Sequence, residues 1–134
     1  MSVQFSVAVR NTRLDAIETT IGASPKLQLR TGAPPANCAS ARTGTLLAQV
    51  DCPADFMAAA ADGSKVLAGA WPFVGVAAGV AAHYSLMDST GATCHEQGTV
   101  TLTGAGGDMT LDNTNIAVDQ AGAIATFTKT EPHA

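Results

Sequence analysis

The beginning of the chain shows two apolar periodicities in succession. Valine and phenylalanine alternate with polar or small residues over positions 3–10, which is the period of a half-buried strand. From residue 12 the apolar spacing becomes i, i+3 and i+7, which indicates one face of an α-helix. Asn11 is a suitable residue to cap this helix, and Gly22 is a suitable residue to end it. We therefore predict a first strand over residues 3–10 and a short amphipathic helix over residues 12–21.

The rest of the apolar pattern predicts short strands separated by turns. Residues 26–30 alternate strictly between apolar and polar, and residues 45–52 form the next strand. Two adjacent prolines and several small residues predict a loop between them, over residues 31–44. The clearest hairpin joins residues 82–87 to residues 94–102 through an Asp-Ser-Thr-Gly turn. Weaker patterns predict strands at 65–70, 73–76, 109–111 and 117–129, a helical turn at 55–61, and turns at 62–63 and 104–108.

The number and spacing of these elements define the expected fold class. About eight short strands and one helix, with no internal repeat and no linker, indicate a mainly β protein. We predict a β-sandwich or jelly roll with one short N-terminal helix after the first strand. A chain of 134 residues has the usual size for one hydrophobic core, so we predict a single domain over residues 1–134.

Composition suggests that much of the surface is covered in the functional state. Apolar residues make up 46% of the chain, aromatic residues only 4% and charged residues 13%, whereas soluble domains carry about 25% charged residues. Small side chains make a thin core, and burial against neighbouring subunits is a common remedy. We therefore expect a homo-oligomer, either a dimer or a trimer, with a tightly packed monomer as the alternative. The net charge of −4 argues against binding to nucleic acid.

The apolar segments give no sign of membrane targeting. The N-terminal residues alternate and lack a basic segment followed by an apolar run, so no secretory signal is expected. The apolar stretch over residues 66–82 is short and is interrupted by a proline and three glycines. We therefore expect no membrane contact and synthesis in a cytoplasm.

The residues that carry chemistry do not form a recognisable constellation. Cys38, Cys52 and Cys94 lack the CxxC spacing, and their odd number leaves at least one free thiol. We expect them to behave as small buried hydrophobic residues. Cys94 and His95 are adjacent, so on a strand they point to opposite faces and cannot share a metal. We predict no catalytic residues, no cofactor and no metal.

Two weaker alternatives concern the last third of the chain. A set of oxygen-bearing side chains could bind calcium, although their spacing does not match an EF-hand: Asp108, Asp112, Asn113, Asn115 and Asp119. The glycine-rich residues 104–107 lack the Lys-Ser/Thr of a phosphate-binding loop and have no βαβ context. We interpret both segments as turns.

Several segments resemble a group of small proteins of tailed phages and prophages, which are catalogued as uncharacterised or virion structural proteins. The segments are SVAVRNTRLDAIETTIG (6–22), PKLQLRTG (25–32), PANC (35–38), GTLLA (44–48), CHEQGTV (94–100) and GDMTLDN (107–113). The resemblance covers much of the chain, and the group has no assigned catalytic residues. It implies a late structural gene, a place in the virion, and the major capsid protein or other virion proteins as partners.

Within that context we expect a non-enzymatic accessory shell protein that cements or decorates the capsid. The alternatives are a tail, collar or fibre-attachment protein of the same particle, and a carbohydrate-binding module that uses Trp71, Phe73 and Tyr84. The N-terminal strand and the loop over residues 34–44 would serve as an edge-exposed arm and a flexible arm. The predicted interface residues are Val3, Phe5, Val7, Pro34, Pro35, Trp71 and Phe73, of which the Trp71–Phe73 pair could equally anchor the core.

Overall fold

The computed structural model of this chain describes residues 3–131 and contains, within them, one helix, α1 (Val7–Ile21). Strands account for 37% of the described residues and helix for 12%, so the predicted mainly β class is confirmed. The strands in chain order are β1 (Lys26–Arg30), β2 (Leu46–Asp51), β3 (Ser64–Val66), β4 (Pro72–Val74), β5 (Gly79–Val80), β6 (His83–Met87), β7 (Cys94–Leu102), β8 (Met109–Leu111), β9 (Asn115–Ile116), β10 (Ala121–Ala123) and β11 (Thr128–Thr130). Residues 1–2 and 132–134 of the predicted domain lie outside the described residues.

Five strands form one sheet in the order β2, β1, β6, β7 and β8. β1 lies antiparallel to both of its neighbours, so that Leu27 pairs with Val50 on one side and with Leu86 on the other. The three central residues of β1 are buried, and β6 is buried at every position. The predicted strand at residues 26–30 is therefore confirmed, and so is the predicted hairpin of β6 and β7.

The edge strand β8 runs parallel to β7, although only residues 103–108 connect them. Parallel neighbours normally need a connection of about a dozen residues or more. Here the connecting segment folds back along β7. One side chain of β7 and one side chain of the segment hold it there. The Thr101 hydroxyl accepts the N–H of Gly107 at 2.9 Å, and the Asp108 carboxylate accepts the N–H of Thr99 at 2.9 Å. The predicted glycine-rich turn is thus a tight return that these side chains stabilise.

The remaining strands pair in three short antiparallel ribbons: β4 with β10, β3 with β11 and β5 with β9. The segment after β4 also reaches the outer edge of β2, where Gly75 pairs with Ala48 and the N–H of Val76 donates to the carbonyl of Leu47 at 2.7 Å. The fold is therefore a curled sheet with short ribbons attached. The predicted sandwich or jelly roll is a finer description than these pairings give.

A row of aromatic rings joins distant parts of the chain inside the core. Phe56 lies 6.3 Å from Trp71, Trp71 lies 5.9 Å from Phe127, and Phe127 lies 5.4 Å from Tyr84, measured between ring centroids. The last two contacts are edge-to-face, which is a favoured geometry for aromatic pairs. Four of the six aromatic residues of this chain are therefore joined in one continuous contact.

The predicted first strand is wrong, because α1 begins at Val7 and precedes every strand in the described residues. Ser6 is the N-cap, and its hydroxyl accepts the N–H of Val9 at 3.2 Å, which satisfies a donor that has no partner within the helix. Val7 and Val9 then lie on the helix surface, each 43% exposed, so their alternation does not reflect a sheet face. The predicted helix over residues 12–21 is part of α1, and the predicted cap Asn11 lies inside it.

The segment between β2 and β3 is irregular, and the helical turn predicted at residues 55–61 is wrong. α1 carries polar side chains at i, i+4 and i+7, which lie on one side of a helix. They accept three backbone N–H groups of this segment: Asn11 from Gly63 at 2.9 Å, Asp15 from Ala60 at 2.9 Å and Glu18 from Met57 at 3.4 Å. Because these donors bind the side chains of α1, the segment does not close into a helix of its own. The turn predicted at residues 62–63 is confirmed.

A buried ammonium group joins α1 to β3. Lys65 is 1% exposed, and its Nζ contacts Asp15 Oδ1 at 2.6 Å, Glu18 Oε1 at 2.9 Å and the Ala58 carbonyl at 2.9 Å. Desolvation lowers the pKa of Lys65, but the two carboxylates outweigh it and raise the pKa above its ordinary value. The bond from Lys65, together with the N–H of Ala60, lowers the pKa of Asp15. Both groups are therefore charged at neutral pH.

We expect the effect of breaking this ion pair to depend on which side is removed. Asp15→Asn combined with Glu18→Gln leaves a buried ammonium without a countercharge, and should lower the free energy of unfolding clearly. Lys65→Met should lower it by less, because the side chains of Asp15 and Glu18 are 46% and 23% exposed and can be hydrated. Urea unfolding measures both changes.

The matched control is Lys26→Met, which removes a partly exposed pair with Asp51 and should change the free energy of unfolding by less than about 1 kcal/mol. A larger loss for Lys65→Met than for the double variant would contradict this account of the ion pair.

Candidate functional site: an apolar ribbon

Residues 66–82 contain no charged, amide or hydroxyl side chain, yet much of this segment lies on the surface. Burial alternates along β4 and the residues next to it. The inward positions are Trp71, Phe73 and Gly75, and the outward positions are Pro72, Val74 and Val76. A strand with one face in solvent normally carries polar residues on that face. Here both faces are apolar, which is typical of a strand that is covered on both sides.

Four valines of this region are more than half exposed. Val74 is 54% exposed, Val76 is 60% exposed and Val80 is 53% exposed. On the neighbouring segment Val118 is 58% exposed. Single exposed apolar residues are normal on a protein surface, but a group of them on adjoining segments indicates an interaction surface.

The two segments that carry these valines are tightly paired. The N–H of Gly75 donates to the carbonyl of Gln120 at 2.8 Å, and β4 pairs with β10 as β5 pairs with β9. A Cβ atom on Gly75 would lie 2.0 Å from the carbonyl oxygen of Ala117, so glycine is required for this approach. We call residues 72–80 together with residues 115–123 the apolar ribbon.

An open groove of about 480 Å³ follows the apolar ribbon where β4 and β10 approach β2. Val74, Val76 and Ala121 line it from the ribbon, and Gln49 and Asp51 line it from β2. The groove is therefore a concave and largely apolar surface with one carboxylate among these residues. Such a surface can accept an apolar segment of another chain.

The predicted interface residues at the N-terminus are exposed to different degrees. Val3 is 63% exposed and Val7 is 43% exposed. Phe5 is half-buried, and the guanidinium of Arg13 lies 5.1 Å from the centroid of its ring, within the range of a cation–π contact. Contact of these residues with a partner stays a prediction.

The loop with Pro34 and Pro35 is held against the sheet, in contrast to the flexible arm that we expected. Pro34 is half-buried and Pro35 is buried, and the carbonyl of Pro35 accepts a hydrogen bond from the Gln97 amide at 2.7 Å. The Arg42 guanidinium bonds the side chains of Ser85 and Gln97 and the carbonyls of Asn37, Cys38 and Ser40. This network fixes the shape of the loop.

The aromatic residues predicted for an interface or a sugar platform are used by the core. Trp71 is 1% exposed, Phe73 is 7% exposed and Tyr84 is 3% exposed. A sugar ring stacks on an exposed aromatic face, and these three rings do not offer one. Of the two roles predicted for Trp71 and Phe73, the burial of their side chains fits that of core anchors.

One group of titratable side chains is bound together beside the core. The Tyr84 hydroxyl donates to Glu96 Oε2 at 2.6 Å, and Lys129 Nζ contacts Glu96 Oε1. Burial, followed by the charge of Glu96, raises the pKa of Tyr84. Lys129 Nζ also lies 4.4 Å from the ring centroid of Phe127. The polar ends satisfy one another, so the arrangement fixes the packing of these residues.

Two of the five residues of the calcium alternative are bonded to threonines. Asp108 accepts from the Thr99 hydroxyl at 3.1 Å, and Asp112 accepts from the Thr103 hydroxyl at 3.3 Å. Within residues 3–131, no three His, Cys, Asp or Glu side chains are grouped as metal ligands would be. In the same part of the chain, α1 is not of the length and apolar character that a bilayer crossing requires.

Comparison of the chain with protein-family models, curated proteins and solved structures found no match.

The exposed valines of the apolar ribbon were not among the predicted interface residues. The sequence does contain a signal for them. Residues 71–76 include no polar residue apart from the indole of Trp71, so a strand at these positions is apolar on both of its faces. The interface prediction drew on the aromatic residues of this stretch, Trp71 and Phe73, and did not include its valines. A strand that is apolar on both faces is typical of one that is covered on both sides.

Proposed function

We propose that this protein is a non-enzymatic structural subunit that binds the assembled shell of a tailed-phage virion as a cement or decoration protein. The observation that carries the proposal is the apolar ribbon, in which four valines are each more than half exposed on paired segments. The resemblance of residues 6–22 and 94–100 to phage structural proteins supplies the particle.

The energetics of the apolar ribbon fit a subunit that acts in many copies. Completing the burial of one half-exposed valine contributes about 1 kcal/mol, so four contribute about 4 kcal/mol. The loss of translational and rotational freedom on association opposes binding by about 4–15 kcal/mol. The valines alone therefore hold an isolated subunit weakly, whereas a dimer or trimer that engages several sites gains from effective concentration. Binding to the assembled shell alone stabilises it by mass action.

The proposed partner surface is largely apolar, at the major capsid protein or at joints between its capsomers. Residues 66–82 carry no formal charge, and the carboxylates beside them are Asp119 of the apolar ribbon and Asp51 of the groove, so apolar contact dominates there. We also propose that the subunit is a β-sandwich or jelly roll, with the five-stranded sheet as one layer and the ribbons as the other. In that arrangement the apolar ribbon lies on the layer that meets the shell.

Counting copies in the particle tests the proposal directly. Quantitative mass spectrometry of purified virions should give a number of copies of this chain comparable to that of the major capsid protein. About a dozen copies would assign the protein to the tail or collar instead. Absence from the virion would overturn the proposal.

Substitutions in the apolar ribbon test which surface binds. Val74→Lys combined with Val76→Lys should reduce occupancy on shells at least about tenfold, because a buried, unpaired ammonium opposes docking. Both positions are exposed, so the free energy of unfolding should change by less than about 0.5 kcal/mol for each. Binding to shells that lack the protein, followed by sedimentation, measures occupancy.

Leu102→Lys is the matched control, because Leu102 is 50% exposed and lies on β7, outside the apolar ribbon. It should bind as the unmodified protein does. Equal occupancy for the ribbon variant and the control would exclude the apolar ribbon as the docking surface.

A further inference from the structure

Two of the three cysteines line one surface cleft. The cleft has a volume of about 550 Å³, and Cys38, Arg42, Met87 and Cys94 are among its lining residues. Cys38 belongs to the loop between β1 and β2, and Cys94 begins β7. Both cysteines are partly exposed and free. Residues that are 56 positions apart in the sequence, at 38 and 94, therefore share an accessible site.

Sheet register places Cys94 on the side of the sheet that faces this cleft. Cys94 pairs with Met87 across β6 and β7, and directly paired residues project to the same face of a sheet. Met87 lines the cleft together with Cys94. The Cys94 thiol donates to the carbonyl of Glu96 at 3.3 Å, so its position is defined.

Arg42 brings the second cysteine to the same place. Its guanidinium donates to the carbonyl of Cys38 at 3.1 Å and, on the sheet, to Gln97 Oε1 at 2.9 Å. The loop is therefore fixed beside β7 before any covalent bond forms. Burial raises the pKa of the Cys94 thiol to about 11, and the neighbouring Cys38 thiol adds to the rise, whereas the charge of Arg42 opposes it.

Cys52 has a different environment. It is 4% exposed, and burial raises its pKa to about 12. Its thiol lies in the core and is not among the lining residues of the cleft. A buried thiol is inaccessible to an oxidant of the size of glutathione, whereas Cys38 and Cys94 are partly exposed in the cleft, so Cys52 serves as an internal reference.

We propose that Cys38 and Cys94 are a redox modification site and form an intramolecular disulfide that joins the loop to the β6–β7 hairpin. The oxidant is a small disulfide such as oxidised glutathione. The thiolate of one cysteine attacks it, a mixed disulfide forms, and one reduced glutathione leaves. The thiolate of the second cysteine then attacks the protein sulfur and releases a second reduced glutathione. Two thiols are oxidised, one small disulfide is reduced to two thiols, and two protons pass to the products.

The bond has a consequence that rests on the proposed function. A shell subunit is assembled where thiols are kept reduced and acts where disulfides persist. Oxidation would then fix the loop after release of the particle. Disulfide formation between Cys38 and Cys94 does not depend on shell binding, so it can be tested on the purified protein alone.

The test is oxidation of the folded, full-length protein with oxidised glutathione, followed by intact-mass measurement and peptide mapping. We expect a mass loss of about 2 Da, for two hydrogens, and one peptide pair that links Cys38 to Cys94. The melting temperature should rise by about 5 °C or more, and dithiothreitol should reverse the shift. Cys52 should react with maleimide only after unfolding.

Cys52→Ala is the control and should still lose about 2 Da, whereas Cys38→Ser and Cys94→Ser should each retain a glutathione adduct. A stable glutathione adduct on the unmodified protein would overturn the proposal, as would a disulfide between two chains or a link to Cys52. Any of these results leaves the shell proposal standing, because shell binding is measured separately on the apolar ribbon.

Discussion

The buried ammonium of Lys65 is the contact on which the arrangement of the N-terminal half depends. It has charged or carbonyl acceptors on α1 and on the segment before β3, so it links the helix, the segment and the strand. The same helix face binds three backbone N–H groups of residues 57–63. That segment carries Met57 and follows Phe56, and both side chains are fully or almost fully buried in the core. The polar face of α1 thus fixes the segment that carries Phe56 and Met57 into the core.

The same principle recurs in other parts of the chain. Arg42 holds the loop between β1 and β2, and the side chains of Thr101 and Asp108 hold the return from β7 to β8. Of the seven basic residues, six bond to side chains of this chain: Arg13, Lys26, Arg30, Arg42, Lys65 and Lys129. Most of the cationic side chains of this charge-poor chain therefore form contacts within the protein. Along residues 72–80 of the apolar ribbon, every exposed side chain is apolar.

Local patterns were sufficient to predict elements whose stability is local or whose faces are simple. β1 alternates clearly, the β6–β7 hairpin has a well-defined turn, and Gly22 ends α1 with its N–H bonded to the carbonyl of Glu18. The first strand failed because a capping serine at position 6 competes with alternation, and the two signals overlap over only a few residues. The helical turn at 55–61 failed because its donors bind side chains that are about 40 to 50 positions away in sequence.

The candidate site was harder to predict than the fold. The aromatic residues Trp71 and Phe73 were suitable anchors on composition, but burial in this chain depends on which residue of each alternating pair faces the sheet. The sequence shows that alternate residues point to opposite faces, but it does not show which set faces the core. The pairing of residues 72–80 with residues 115–123 is also non-local, so the grouping of Val74, Val80 and Val118 follows only from the register of β4, β5, β9 and β10.

If the protein acts in a shell, the apolar ribbon is covered there. Hydrogen–deuterium exchange, compared between the free protein and the protein on virion shells, measures this covering. We expect slower exchange on shells in residues 72–80 and 115–123, with unchanged exchange in the β6–β7 hairpin, whose hydrogen bonds are internal in both states. Unchanged exchange in the apolar ribbon, with protection in another part of the chain, would contradict that expectation.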